Sequence, residues 1–151
     1  MTMLQKLKDA LRKKSERHIA CFVDGPNMLR KELDVDLSKI KARLQKFGKL
    51  KVARVFVNQY ASDKLIEAIT NQGFDVSVIP SDVDVALAVE ASESIFNPNI
   101  DAIAIVSRDS DFKPLIMKVK QHGKEAIIVG AEPDFSSALK NAADEVINLK
   151  E

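Results

Sequence analysis

The stretch Asp101-Ala102-Ile103-Ala104-Ile105-Val106-Ser107-Arg108-Asp109-Ser110-Asp111-Phe112 decides the fold. Its apolar run, rich in Ile and Val, reads as a strand buried on both faces, and it stops abruptly at Ser107, Arg108 and two aspartates spaced two apart. In an open parallel sheet that end is the carboxyl edge, where ligands bind, above all where the strand order reverses. A second edge of the same kind comes early: residues 19–23, Ile-Ala-Cys-Phe-Val, run straight into Asp24-Gly25-Pro26-Asn27. If these two strands are neighbours, Asp24, Asp109 and Asp111 meet in one small volume.

Working outward from these edges, strands and helices alternate along the rest of the chain. Between the two edges, a helix is expected over 37–47, capped by Asp36 and ended by Gly48, and a strand over 51–57. A helix follows from near Ser62 to 72, stopped by Gly73, and then a strand over 74–79. A Ser81-x-x-Asp84 capping box opens a helix to residue 95. Its interior, Val85-Ala86-Leu87-Ala88-Val89, is apolar almost all round and predicts burial. Beyond the acidic turn come a helix over 112–121, a strand over 125–129, a helix over 135–141 capped by Asp134, and a short closing strand over 145–149. The alternation, with short connections, describes a single doubly wound α/β layer. Residues 1–17 form a separate basic amphipathic helix, in which Met3, Leu4, Leu7, Ala10 and Leu11 recur between lysines and arginines, and residues 18–151 form the domain.

A chain of 151 residues is long enough to bury a full core without disulfides or structural metal. The single cysteine, Cys21, falls inside the first strand and reads as a small core residue. No apolar run spans a bilayer and no signal-type core follows the basic N-terminus, so a reducing, cytoplasmic setting without integral membrane association is expected. The formal net charge of +1 hides an uneven distribution. Residues 37–54 carry Lys39, Lys41, Arg43, Lys46, Lys49, Lys51 and Arg54 with no acid. On that helix Lys39, Arg43 and Lys46 stand on neighbouring turns, where they could take phosphates by counterion release. The N-terminal helix is read as solvated and basic, docked on the domain or on a protein partner such as a second copy.

Several chemistries lack their parts. The dinucleotide fingerprint, the P-loop and the G-x-S-x-G elbow are all missing. His18 and His122, the only histidines, precede strands and so lie at the opposite, amino edge of a parallel sheet. Phosphatase chemistry on a similar fold needs a second acid two residues after Asp24, where Pro26 stands. What remains is a set of carboxylates: Asp24, Asp84, Asp109 and Asp111, with Asp82 and Glu90 further out. Asp36 and Asp134 are read as caps only. Crowded carboxylates must take up protons or bind a cation, and hard divalent ions such as Mg²⁺ or Mn²⁺ prefer oxygen ligands. An acidic site with basic flanks points to phosphodiester hydrolysis.

Phe22-Val23-Asp24-Gly25-Pro26-Asn27 resembles the opening motif of NYN domains, in the LabA-like branch of the PIN-like nuclease superfamily. Asp82-Val83-Asp84-Val85-Ala86-Leu87-Ala88-Val89-Glu90-Ala91 resembles their central helix motif, and Val106-Ser107-Arg108-Asp109-Ser110-Asp111-Phe112-Lys113-Pro114-Leu115 the third. The resemblance covers about residues 18–149. It implies a three-layer PIN-like domain with strand order 3-2-1-4-5 and a Mg²⁺- or Mn²⁺-dependent ribonuclease site. Carried over by position, Asp24, Asp84, Asp109 and Asp111 are the implied metal-binding acids. Asn27 orients a ligand or water, and Ser107 is a supporting hydroxyl.

Two positions depart from the family pattern. Arg108 replaces the usual glycine, which could add a phosphate contact or partly neutralise the acids. Glu90 stands where Asp is usual, and its place roughly 240° around the helix from Asp84 leaves a salt bridge as its alternative role. The enzyme reading competes with a binding module, a NYN domain that holds RNA or a protein without cutting.

Overall fold

The computed structural model describes residues 1–151, with every side chain except those of Arg12, Lys14 and Ser15. After helix α1 (Met3–Ser15) the chain enters β1 (His18–Asp24), the short helix α2 (Gly25–Met28) and α3 (Leu37–Leu44). It continues through β2 (Lys49–Asn58), α4 (Asp63–Asn71), β3 (Asp75–Ile79), α5 (Val83–Ile95) and β4 (Ala102–Val106). The last elements are α6 (Lys113–Gln121), β5 (Glu125–Gly130), α7 (Ser137–Ala142) and β6 (Glu145–Asn148). The strands form one parallel sheet in the order β3-β2-β1-β4-β5-β6, so the chain starts in the middle, winds outward one way and returns to wind the other. The closing strand expected from the sequence is β6, paired parallel to β5.

Strand parity divides the core in two, because successive side chains point to opposite faces. Ile19, Cys21 and Val23 of β1 join Ala102, Ala104 and Val106 of β4 beneath α3 and α4. Ala20 and Phe22, with Ile103 and Ile105, face α5, α6 and α7. Continuing that alternation, Asp24 belongs to the α5 side. The β1–β4 register pairs Val23 with Val106, so both strands end level and their polar continuations, Asp24 and Ser107, emerge side by side. The turn after Asp24 is a helical one, α2, where the sequence suggested a loop. Gly25 permits it, since a Cβ there would sit 2.4 Å from the Phe56 carbonyl oxygen of β2.

Several local expectations are corrected. The helix at 37–47 ends at Leu44, and Gly48 lies beyond it, serving a close backbone approach: a Cβ would meet the Arg17 carbonyl oxygen at 2.4 Å. Helix α5 is capped by Asp82, which accepts from the Asp84 N–H at 3.0 Å, and not by Ser81. Helix α7 is capped by Ser136, while Asp134 sits just before it with φ 64. Helix α5 is not buried all round either. Val83, Leu87, Ala91 and Ile95 form its buried stripe, whereas Val85 and Val89 are 59% and 57% exposed, because a helix lying on a sheet covers only one of its faces. The domain does not cover the apolar side of helix α1: Met3, Leu4, Leu7 and Leu11 are all more than half exposed. No helix is long and apolar enough to cross a membrane.

Candidate metal centre

Three elements deliver carboxylates to the carboxyl edge. The strand β1 ends in Asp24, which is 2% exposed. Helix α5 begins with Asp84 on its first turn, its carboxyl released from capping because Asp82 does that work. The turn after β4 carries Asp109 and Asp111. There Asp109 Oδ1 accepts from the Asp111 N–H at 2.9 Å, which tightens the turn and sets the two side chains close together. Oxygens of Asp84, Asp109 and Asp111 lie within 4.8 Å of one another. Asp24 lies outside that trio and couples to it through charge, adding to the repulsion felt by Asp84 and receiving it from Asp109.

Hydrogen bonds fix the floor of the site. The Ser107 hydroxyl, fully buried, donates to Asp24 Oδ2 at 3.0 Å and accepts from the Asp109 N–H at 3.1 Å. The backbone of Asn27 also favours the ionised form of Asp24. One hydroxyl thereby links the ends of β1 and β4. Burial pushes the Asp24 carboxyl above its ordinary range, against the pull of these donors. Asp84 is pushed up to about 6, first by burial and then by the charges of Asp24, Asp109 and Asp82. No basic side chain pairs with Asp84, Asp109 or Asp111 among the described residues.

Arg108 is turned away from the carboxylates. Its Nη1 donates to the Pro133 carbonyl at 2.7 Å, its Nη2 to the Asn27 carbonyl at 2.9 Å, and its Nε to Asn27 Oδ1 at 3.3 Å. The backbone N–H of Arg108 donates to the same Asn27 oxygen at 3.0 Å. The side chain is 8% exposed and braces the α2 turn against the loop before α7. Its charge still favours ionised Asp24, as the last and smallest influence on that group. Asn27, with its amide oxygen so occupied, keeps its amide NH₂ without a described partner.

The basic residues of α3 are not gathered at the cluster. Lys39 donates to the Leu149 carbonyl, and Arg43 Nη1 to the carbonyls of Asn148 and Glu151 at 3.4 and 3.3 Å. Lys46, past the helix end, is exposed and its side chain makes no described bond. Glu90 takes its salt-bridge role, 3.4 Å from Arg54 Nε on β2. The histidines stand at the amino edge, as their positions before strands required.

One residue escaped the sequence reading. Arg30, just beyond α2, donates from Nε to the Pro26 carbonyl at 3.1 Å, and it edges an open groove of about 440 Å³ that shares Asp109 with the cluster. No spacing signal could have found it, since Arg30 stands past the end of α2 in extended backbone and its placement comes from the turn between α2 and the segment that follows.

The parallel sheet thus carries crowded carboxylates at its carboxyl edge, in keeping with the nuclease-like fold that the family match implies. The chain matches the NYN domain over residues 18–150 and belongs to that family, within the PIN-like superfamily. NYN and PIN-like nucleases usually use divalent metals, and NYN domains typically bind RNA. An uncharacterized protein of Methanocaldococcus jannaschii is 56% identical over 142 residues, covering 94% of this chain. The chain spans 59% of the length of that relative. A solved protein of unknown function from Vibrio parahaemolyticus shares the fold at a TM-score of 0.78, with 21% identity over 88% of this chain and 93% of its own.

Proposed function

We propose that the protein is a metal-dependent ribonuclease that hydrolyses RNA phosphodiester bonds at the carboxyl edge of β1 and β4. The observation that carries this reading is the trio Asp84, Asp109 and Asp111, crowded together without a cationic partner. The donor set fits Mg²⁺ or Mn²⁺: every ligand atom offered is a carboxylate oxygen, and Asp84, pushed up first by burial, is pushed further by neighbouring carboxylate charges that a divalent cation offsets. Asp84, Asp109 and Asp111 would hold the ion, with Asp24 beside them. When bound, such an ion lowers the pKa of water and offsets the charge developing on phosphate oxygens.

The chain's own groups do the positioning. Ser107 holds Asp24 and the Asp109 backbone in one arrangement, so the carboxylates need little reorganisation when substrate arrives. Asn27, its carbonyl oxygen fixed by Arg108, presents its NH₂ to a phosphate oxygen or to the attacking water. Arg108 acts through Asn27 and not on phosphate. Just beyond α3, exposed Lys46 is placed to meet the RNA backbone, Lys39 and Arg43 being engaged with the C-terminal segment. Melting temperature at rising Mn²⁺, together with cleavage of a generic single-stranded RNA with and without chelator, tests the reading. A metal-dependent rise in melting temperature with chelator-sensitive cleavage is expected. Binding of RNA without cleavage would transfer the protein to the binding-module class.

A further inference from the structure

The groove beside the cluster is polar throughout, and its cations are unequally occupied. It is lined by Arg30, Asp109, Ser110, Asp134 and Ser136, with Asn27 and Arg108 at its inner end. The three guanidinium nitrogens of Arg108 are all committed to acceptors of the chain. Arg30 is anchored by Nε alone, and its two terminal nitrogens have no described partner. That single bond restrains the direction of the guanidinium while leaving its two-pronged end for an anion, the geometry that suits a phosphate.

We infer that this groove binds the nucleotide next to the scissile phosphate, with the Arg30 guanidinium on its backbone phosphate. The inference rests on the ribonuclease reading and deepens it. A strand whose reacting phosphate sits at the carboxylates has Asp109 in common with the groove, and so continues into it. Besides Asp109, which the groove shares with the cluster, the lining offers the hydroxyls of Ser110 and Ser136 and the Asp134 carboxylate to the sugar, and no aromatic ring to a base. Sequence-selective recognition of single strands relies on base stacking and on base edges, whereas backbone contacts position without reading. The groove therefore takes any sequence, and Arg30 is a substrate-positioning residue that acts mainly on binding.

Fluorescence anisotropy of a labelled single-stranded oligouridylate, in chelator so that nothing is cut, measures this separately from hydrolysis. Arg30→Ala should weaken binding about three- to tenfold and flatten the log–log salt slope by about 0.7, the share of one phosphate contact on a single strand. Arg30→Lys should restore the salt slope and part of the affinity, since the charge returns without the fork. Lys31→Ala, which removes the neighbouring charge outside the groove, should change both much less. Parallel melting curves check that the loss of the Pro26 bond leaves the fold intact, with Arg30→Lys as the variant to rely on if alanine unfolds the turn. Equal binding by wild type and Arg30→Ala, or an equal loss in Lys31→Ala, overturns the groove assignment while Mn²⁺-dependent cleavage by the wild type leaves the nuclease standing. Arg30-dependent binding without cleavage supports the groove and removes the hydrolytic role. Failure of the wild type to bind the RNA overturns the groove and the reading beneath it.

Discussion

At the amino ends of the central strands, charged and polar groups find partners. Asp101 accepts from the His18 N–H at 2.8 Å, Asp144 from the Ala126 N–H at 2.8 Å, and Glu125 pairs with Arg17. Lys124 donates to the carbonyls of Asn97 and Ile100, and His18 Nδ1 lies 3.0 Å from the Asn99 carbonyl. At the carboxyl ends of the same strands, three aspartates crowd without a cation, while the nearest buried arginine is directed at carbonyl groups. Both edges are rich in acids. The amino edge uses them to satisfy backbone N–H groups and close the sheet. At the carboxyl edge repulsion is retained, and this charge is what supports the proposed cation site.

The largest expected effect strikes the support beneath the carboxyl edge. Phe112, 2% exposed, packs in the α5–α6 core directly after Asp111. Phe112→Ala should cost about 3–5 kcal/mol, read from denaturant unfolding. A loss below about 1 kcal/mol would show that the acidic turn does not depend on its hydrophobic anchor.

Asp109→Asn probes the retained repulsion itself. Cleavage should fall about 100-fold or more, and the Mn²⁺-induced rise in melting temperature should shrink with it. Without metal the melting temperature should hold or increase, because the amide keeps the turn's acceptor and removes a charge. Identical metal responses in the two proteins would dissolve the contrast between the edges.

Burial of Asp84, with the repulsion of its neighbours added, predicts a pH dependence. The folded pKa of Asp84 is raised from 3.8 to about 6, so between these values the folded state binds more protons than the unfolded chain. Stability in chelator should therefore decline as pH rises through that window. Saturating Mn²⁺ should offset the decline, and Asp84→Asn should flatten it. Melting curves of both proteins from pH 4 to 7 provide the check; a metal-free protein that gains stability across the window would contradict the assigned crowding.

The smallest effect belongs to the amino edge. Asp101→Asn retains an oxygen for the His18 N–H and should cost only about 0.5–1 kcal/mol, with cleavage and metal response unchanged. The same chemical change thus carries different consequences at the two ends of one sheet, and a loss of metal response in Asp101→Asn would erase the distinction.

Much of this architecture was legible in the chain. The apolar runs at 19–23 and 102–106 are nearly continuous because parallel strands are covered on both faces, and their abrupt polar ends locate the edge. Asp24, Asp84, Asp109 and Asp111 were readable as a set, of which the fold gathers the last three and leaves Asp24 beside them. Caps were harder. Ser81 and Asp82 are both competent N-caps, and which one serves α5 depends on where the incoming chain turns, yet that choice decides whether Asp84 is free.

The alternation of strands and helices and the acidic carboxyl edge follow from residue periodicity and short-range turn chemistry, and the family from the resemblance of three motifs in order. Only the tertiary structure decided where the long cationic side chains go. Arg108 is adjacent to the acids in sequence, yet it finds its acceptors at Asn27 and Pro133, 81 and 25 residues away. Lys39 and Arg43 are recruited by carbonyls more than 100 residues distant. A flexible arginine or lysine takes the orientation in which most of its donors are satisfied, and those acceptors are assembled only by the fold.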